Sequence, residues 1–176
     1  MITHSLRPLL LYPSRSALAL GLLLLVSPAF GQITEDLELR PTDGAAGEAF
    51  GHSTAIDGGI VAIGAPGDDD NGTDSGSTYL LDSSTGAQLA KLLPSDGSAG
   101  DEFGFSVSIS DGLVVVGAPR DHANGVPSGS AYIFDVSTGM QLLKLIPADG
   151  AAGDEFGFAV AIDDGLVAVG AKRNDD

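Results

Sequence analysis

Residues 101–119 read DEFGFSVSISDGLVVVGAP. From Phe103 onward, bulky side chains (Phe103, Phe105, Val107, Ile109) alternate with small ones (Gly104, Ser106, Ser108). That period of two predicts a strand with one bulky and one small face. Asp111-Gly112 supplies the positive φ angles of a tight hairpin turn. The apolar run Leu113–Val116 then predicts a returning strand buried on both faces. A polar loop through Asn124-Gly125 leads to a third strand, Ala131–Asp135. The turn Ser137-Thr138-Gly139 leads to a fourth, Gln141–Ile146, ended by Pro147.

The same stretch stands at 48–66 as EAFGHSTAIDGGIVAIGAP and at 154–172 as DEFGFAVAIDDGLVAVGAK, displaced by 53 residues each time. The register holds between copies as well. Tyr79 returns as Tyr132, Asp82 as Asp135, and Ser84-Thr85-Gly86 as Ser137-Thr138-Gly139. A fixed period marks a stacked or radial array of one supersecondary unit. Four antiparallel strands per unit make that unit a β-propeller blade, so the expected fold class is all-β. The blades are expected at about 48–94 and 101–147, with a partial one at 154–176. The coils of a parallel β-helix are much shorter than 53 residues, and no sustained 3.6-residue period supports helical repeats. Glycine and serine on one blade face leave room for Phe and Val from the neighbouring blade.

Of the 176 residues, 24 are acidic and 8 basic, a net charge of −16, and none is cysteine. Phosphate backbones and anionic lipid surfaces repel such a chain, which argues against nucleic-acid and membrane-surface partners. The lack of cysteine excludes disulfides, thiolate zinc sites and a cysteine nucleophile. Arg7 and Arg15 precede the apolar run Ala17–Val26, and Ala29 and Gly31 stand at −3 and −1 of a cut after Gly31. Residues 1–31 therefore read as a secretory signal peptide, the run being too short to span a bilayer. Cleavage leaves 6 basic against 24 acidic residues, a charge of −18, and no membrane span. The expected location is secreted, periplasmic or on a bacterial cell surface.

The pairs Phe50-Gly51 with Gly64-Ala65-Pro66, and Phe103-Gly104 with Gly117-Ala118-Pro119, resemble the FG-GAP repeat of the integrin α-subunit propeller and its bacterial relatives. The third copy, Phe156-Gly157 with Gly170-Ala171, has lysine where the others have proline. The resemblance implies an extracellular propeller that binds other macromolecules, sometimes with calcium in its loops. In the calcium-bearing blades the acidic loop lies between Phe-Gly and Gly-Ala-Pro. Here that interval holds only a hairpin turn such as Asp111-Gly112.

One acidic cluster outside that interval, Asp68 to Asp74, admits a calcium site through Asp68, Asp70 and Asp74. Counted from Asp68 the glycine is fifth, whereas an EF-hand loop has it sixth. Asp70 and Asp74 align with Ala123 and Pro127, so the blade does not require them, and a solvated loop is the plainer reading. Asp68 aligns with Asp121, which suggests a side chain capping a turn. No catalytic residues are expected. His52 takes the slot of Phe105 and Phe158 and reads as packed. Asp121 and His122, adjacent in sequence, rarely converge on one substrate. Asp101-Glu102 and Asp154-Glu155 read as solvated turn residues. The eight aromatics beyond residue 31 all fall on strand positions of the repeat and read as core.

The strands amount to one near 37–40, four in each of two blades and two in the last, about two and a half blades. Propellers close with at least four. A truncated reading frame is therefore expected, or a ring completed by blades of the same or another chain. The functional expectation is a non-catalytic protein-binding or adhesion module whose partner is an extracellular protein or surface polymer. The alternatives are the propeller portion of a larger extracellular hydrolase or lyase, and a structural unit that builds a ring from several chains.

Overall fold

The computed structural model describes residues 23–24, 37–122 and 127–173. The signal-peptide reading of 1–31 lies outside them except at Leu23–Leu24. The strands are β1 (Leu23–Leu24), β2 (Glu38–Leu39), β3 (Ser53–Asp57), β4 (Ile60–Ala65), β5 (Ser77–Asp82) and β6 (Gln88–Leu92). Then follow β7 (Ser106–Ser110), β8 (Leu113–Ala118), β9 (Ser130–Asp135), β10 (Gln141–Leu145), β11 (Phe156–Asp163) and β12 (Leu166–Ala171). β3 to β6 and β7 to β10 form two four-stranded antiparallel sheets in sequence order, β11–β12 form a third, two-stranded one, and β1 pairs with β2.

The hairpins form where both turn residues carry positive φ: 51° and 77° at Asp111-Gly112, 47° and 74° at Asp164-Gly165. That twist matches the twist of the flanking strands. Between β7 and β8 every residue pairs without slippage, from Ser106 opposite Gly117 to Ser110 opposite Leu113. β8 and β9 of the middle sheet are enclosed from both sides. Val114, Val116, Tyr132 and Phe134 pack toward Ala62 and Leu80 of the first sheet, while Val115, Ala131 and Ile133 pack toward Ile162 of the third. Each fully buried aliphatic side chain contributes about 1.5–3 kcal/mol.

One strand expectation is corrected. Phe103 and Gly104 lie outside β7; Phe103 instead makes a parallel bridge to Gly76 of the preceding sheet. Positive φ angles at Glu102 (55°) and Gly104 (89°) turn the chain there, so the alternation seen in sequence begins as a strand only at Ser106. The strand expected near 37–40 is present as β2. Glu38–Leu39 stands one repeat before Lys91–Leu92 of β6, so β2 takes the place of an outermost strand belonging to a preceding blade. Leu39 packs on Phe50, Val61, Ile63 and Tyr79 much as Leu92 packs on Phe103, Val114, Val116 and Tyr132.

Candidate functional site: blade seams, ion networks and the inner groove

The Phe-Gly and Gly-Ala-Pro motifs are the seam between blades. Gly104 N–H donates to Gly117 O of its own blade (3.1 Å). Gly104 O accepts Ser53 Oγ from the preceding blade (2.8 Å). The next seam repeats this, with Ser106 Oγ donating to Gly157 O at 2.8 Å. A Cβ on Gly64 would lie 1.9 Å from Gly104 O, and one on Gly117 would lie 1.9 Å from Gly157 O. Only glycine lets the two backbones approach so closely. Ala65, Ala118, Pro66 and Pro119 are buried beside these contacts. At Gly170 the same position meets nothing nearer than Ala159 at 3.7 Å; in the Phe-Gly motif a Cβ on Gly104 would lie 2.2 Å from Ser77 O, whereas one on Gly51 meets nothing within 4 Å.

Each full blade also carries a buried ion network that sequence reasoning missed. Asp68 Oδ2 accepts Tyr79 OH (3.0 Å) and Ser77 Oγ (3.0 Å) and pairs with Lys91 Nζ (2.8 Å). Lys91 also pairs with Asp43 (2.8 Å) and Asp70 (2.7 Å). In the second blade Tyr132 OH donates to Asp121, and Lys144 Nζ reaches Asp121 (2.8 Å) and Asp96 (2.5 Å). Burial opposes the charge on Lys91, but the Asp43, Asp68 and Asp70 carboxylates outweigh it and hold the ammonium above its ordinary pKa. Burial likewise works against ionised Asp68, and the hydrogen bond from Lys91 keeps its carboxyl below the usual range.

Of the residues considered for calcium, Asp68 and Asp70 are brought together, and they meet on the Lys91 ammonium. Asp74 does not join them: it sits at φ 53° and donates its N–H to Asp69 Oδ1. Asp68 does cap a turn, through Oδ1 to Asp70 N–H (3.1 Å). Among the described residues no group of three or more His, Asp or Glu side chains is placed to hold a metal. The donors therefore do not fit calcium, because a lysine already supplies the positive charge.

Asp101 and Asp154, expected in solvent, are buried. Each folds its Oδ2 back onto a loop N–H, Ser98 (2.7 Å) and Ala151 (2.6 Å) respectively. Burial pushes the Asp101 carboxyl pKa up, and the nearby Asp121 charge adds to this. His122 Nδ1 lies 3.5 Å from Asp101 rather than engaging its sequence neighbour Asp121.

The aromatic expectation needs correction too. Phe50, Tyr79, Phe103, Tyr132 and Phe134 are core. Phe105 and Phe158 are only half-buried, and His52 is exposed. Their rings form a ladder across the three blades, with centroids 4.7 Å apart for His52–Phe105 and 5.0 Å for Phe105–Phe158. Lys172 Nζ caps the ladder 4.4 Å above Phe158. The cause is position: these residues follow the Phe-Gly turn, at the rim where the innermost strands of successive blades converge. Two hollows of about 220 and 170 Å³ adjoin along this rim and share Glu102 and Phe105.

Charge is distributed unevenly around that groove. Of the six basic residues described, Lys91 and Lys144 are committed to the buried networks, and Arg40 pairs with Glu38. Arg120, Lys172 and Arg173 all line one hollow, with Glu102 and Glu155 between them. The second hollow therefore carries three cations against two carboxylates in a chain that is strongly acidic elsewhere, and the first adds Asp74.

No curated protein matches the chain. Among solved structures it is similar to a computationally designed protein, Ika4. That likeness has 20% identity and a TM-score of 0.34, and covers 71% of this chain and 86% of that one. The FG-GAP repeat model matches at residues 33–81, 87–134 and 140–176. Each match begins at or before an outermost strand (β2, β6, β10), so the sequence repeat is offset from the blade and ties each blade to the next. With three matches spanning most of its length, the chain belongs to the FG-GAP repeat family.

Proposed function

We propose that the protein is a non-catalytic binding module of the extracytoplasmic space, and that the inner groove is its contact surface for a protein partner. The observation that carries this reading is the partly exposed ladder His52–Phe105–Phe158, flanked by Arg120, Lys172 and Arg173. Aromatic and arginine side chains are the usual anchors of protein interfaces. The buried Asp–Tyr–Lys networks support it as well: they repeat from blade to blade and pair internally, which is the pattern of a scaffold. Binding to intact cells and to purified extracellular proteins tests the proposal. Phe105→Ala and Arg120→Glu are expected to abolish retention while leaving the thermal midpoint within a few degrees. Retention equal to wild type in both variants would refute it.

A second reading, a unit that builds a ring with other blades, is favoured by the two open faces. Ile56 is 60% exposed, whereas its repeat partners Ile109 and Ile162 are 8% and 7% exposed against a preceding blade. At the other end Leu166 is 77% exposed and Gly170 lacks the carbonyl that Gly64 and Gly117 receive. The faces match each other as the internal seams do. Light scattering that gives several chains per particle, reduced to one by Leu166→Asp, is the expected result. A monomer at all concentrations would refute it.

A further inference from the structure

The hollow of about 170 Å³ in the inner groove brings Arg120, Lys172 and Arg173 together with Glu102 and Glu155 beside the Phe158 ring. The two carboxylates do not cancel the three cations, either in number or in place. Arg120 meets Glu102 through Nη1 at 2.6 Å. Glu155 is shared: Arg173 Nη1 lies 3.2 Å from it and Lys172 Nζ 3.7 Å, the latter outside hydrogen-bond range. The Glu102 and Glu155 side chains are recessed, 20% and 19% exposed, while those of Arg120, Lys172 and Arg173 are 63%, 48% and 63% exposed. An approaching ligand thus meets the positive groups first. A guanidinium has five donors, so a contact through Nη1 leaves each arginine others to offer. Lys172 is also where the third copy leaves the repeat, since Pro66 and Pro119 hold its position in the others. The neighbouring hollow differs: it is lined by Asp74 and Glu102 and by no lysine or arginine, so it repels the anion that this one attracts.

We propose that this hollow binds a carboxylate, the side chain of a single acidic residue on the partner protein. The inference rests on the reading of the groove as a protein contact and names the partner's chemistry at its charged end. The excess of one positive charge selects a singly charged anion; a phosphate dianion would leave the hollow negative overall. The guanidinium fork matches a planar carboxylate and holds both of its oxygens. Lys172 Nζ, too far from Glu155 to hydrogen-bond it, has donors to turn toward the same group. Phe158, which already packs under Lys172 Nζ, offers an apolar wall to the stem of an aspartate or glutamate. At roughly 30 Å³ per water the hollow has room for a carboxyl group and its stem. The rest of the chain is strongly acidic, so a long acidic segment is repelled and one carboxylate is drawn in.

Backbone amide and arginine side-chain resonances of the full-length protein, followed during titration at constant pH and ionic strength, test the site. The probes are a blocked Gly-Glu-Gly peptide, the matching Gly-Gln-Gly peptide and sodium phosphate. Saturable shifts at Arg120, Lys172 and Arg173 with the Glu peptide, a dissociation constant of about 1 mM, and no shift with the Gln peptide are expected. Added salt is expected to weaken the binding. Lys172→Gln is expected to weaken it about tenfold. Lys172→Pro, which restores the residue of the other copies, is expected to do the same, and Arg173→Gln to weaken it several-fold. No saturable shift with the Glu peptide, equal shifts with the Gln peptide, or tighter binding of phosphate would overturn the proposal. Shifts with the Glu peptide in a protein whose retention on cells ignores Phe105→Ala uphold the carboxylate site and refute the groove as the partner contact. Retention lost in Phe105→Ala without those shifts does the reverse.

Discussion

Asp121 is buried with its charge answered by Lys144 and Tyr132, and the same three roles fall to Asp68, Lys91 and Tyr79 one repeat earlier. Removing the cation from such a pair strands the carboxylate. Lys144→Met is therefore expected to cost about 3–5 kcal/mol in urea denaturation, and Tyr132→Phe about 1 kcal/mol. The pH dependence follows from the directions of the shifts. Asp43, Asp68 and Asp96 sit below 3.8 when folded, so their contribution is present above that value and is lost as pH falls through the depressed folded values. Lys91 and Lys144 sit above 10.5, so theirs is present below that value and is lost as pH rises through the raised ones. Asp101, raised by burial, works the other way and is relieved when it takes a proton. The urea midpoint is expected to hold across neutral pH and to fall below about pH 4, with Asp101→Asn steepening the acid fall. The networks left a trace in the sequence: Asp43 and Asp96, like Lys91 and Lys144, stand 53 apart. What the sequence does not carry is which loop acid folds inward. Asp68 and Asp69 are adjacent and alike in type, and only the packing of the loop on Tyr79 buries the first.

At the scale of the element, the hairpins and four-strand order were legible because Asp-Gly turns and period-two alternation are local signals. The start of the innermost strand was not. Phe103 keeps the alternation but bridges to Gly76 of another blade, a long-range contact that no local pattern encodes. The half-exposure of Phe105 and Phe158 has the same origin, since the repeat fixes that they align and not that they line a rim. The motif glycines give a test internal to the fold. Gly117→Ala would force a Cβ against Gly157 O and is expected to cost about 3 kcal/mol or more. Gly170→Ala, at the same motif position with open space, is expected to change stability by less than about 0.5 kcal/mol. Paired thermal melts check both, and equal losses would show that the glycines serve a turn and not a seam.

For the whole molecule, stability comes from blades finishing one another. The middle sheet has a core on each face, the third sheet has one on a single face, and Leu143 of β10 stands 55% exposed beside it. Lysines answer the buried Asp68 and Asp121, so a melt with chelator is expected to keep its midpoint, and a fall of several degrees would contradict that. The propeller class was readable from the period together with the four strands of each unit. Neither the groove nor the open faces were, because both arise from stacking and not from the unit. The central claim is that each seam, glycine against carbonyl, is what holds a blade. Native-state hydrogen exchange read strand by strand tests it most directly. In solution dilute enough for one chain per particle, β8 and β9 are predicted to be the most protected strands and β12 the least. Protection in β12 equal to that in β8 would contradict the claim.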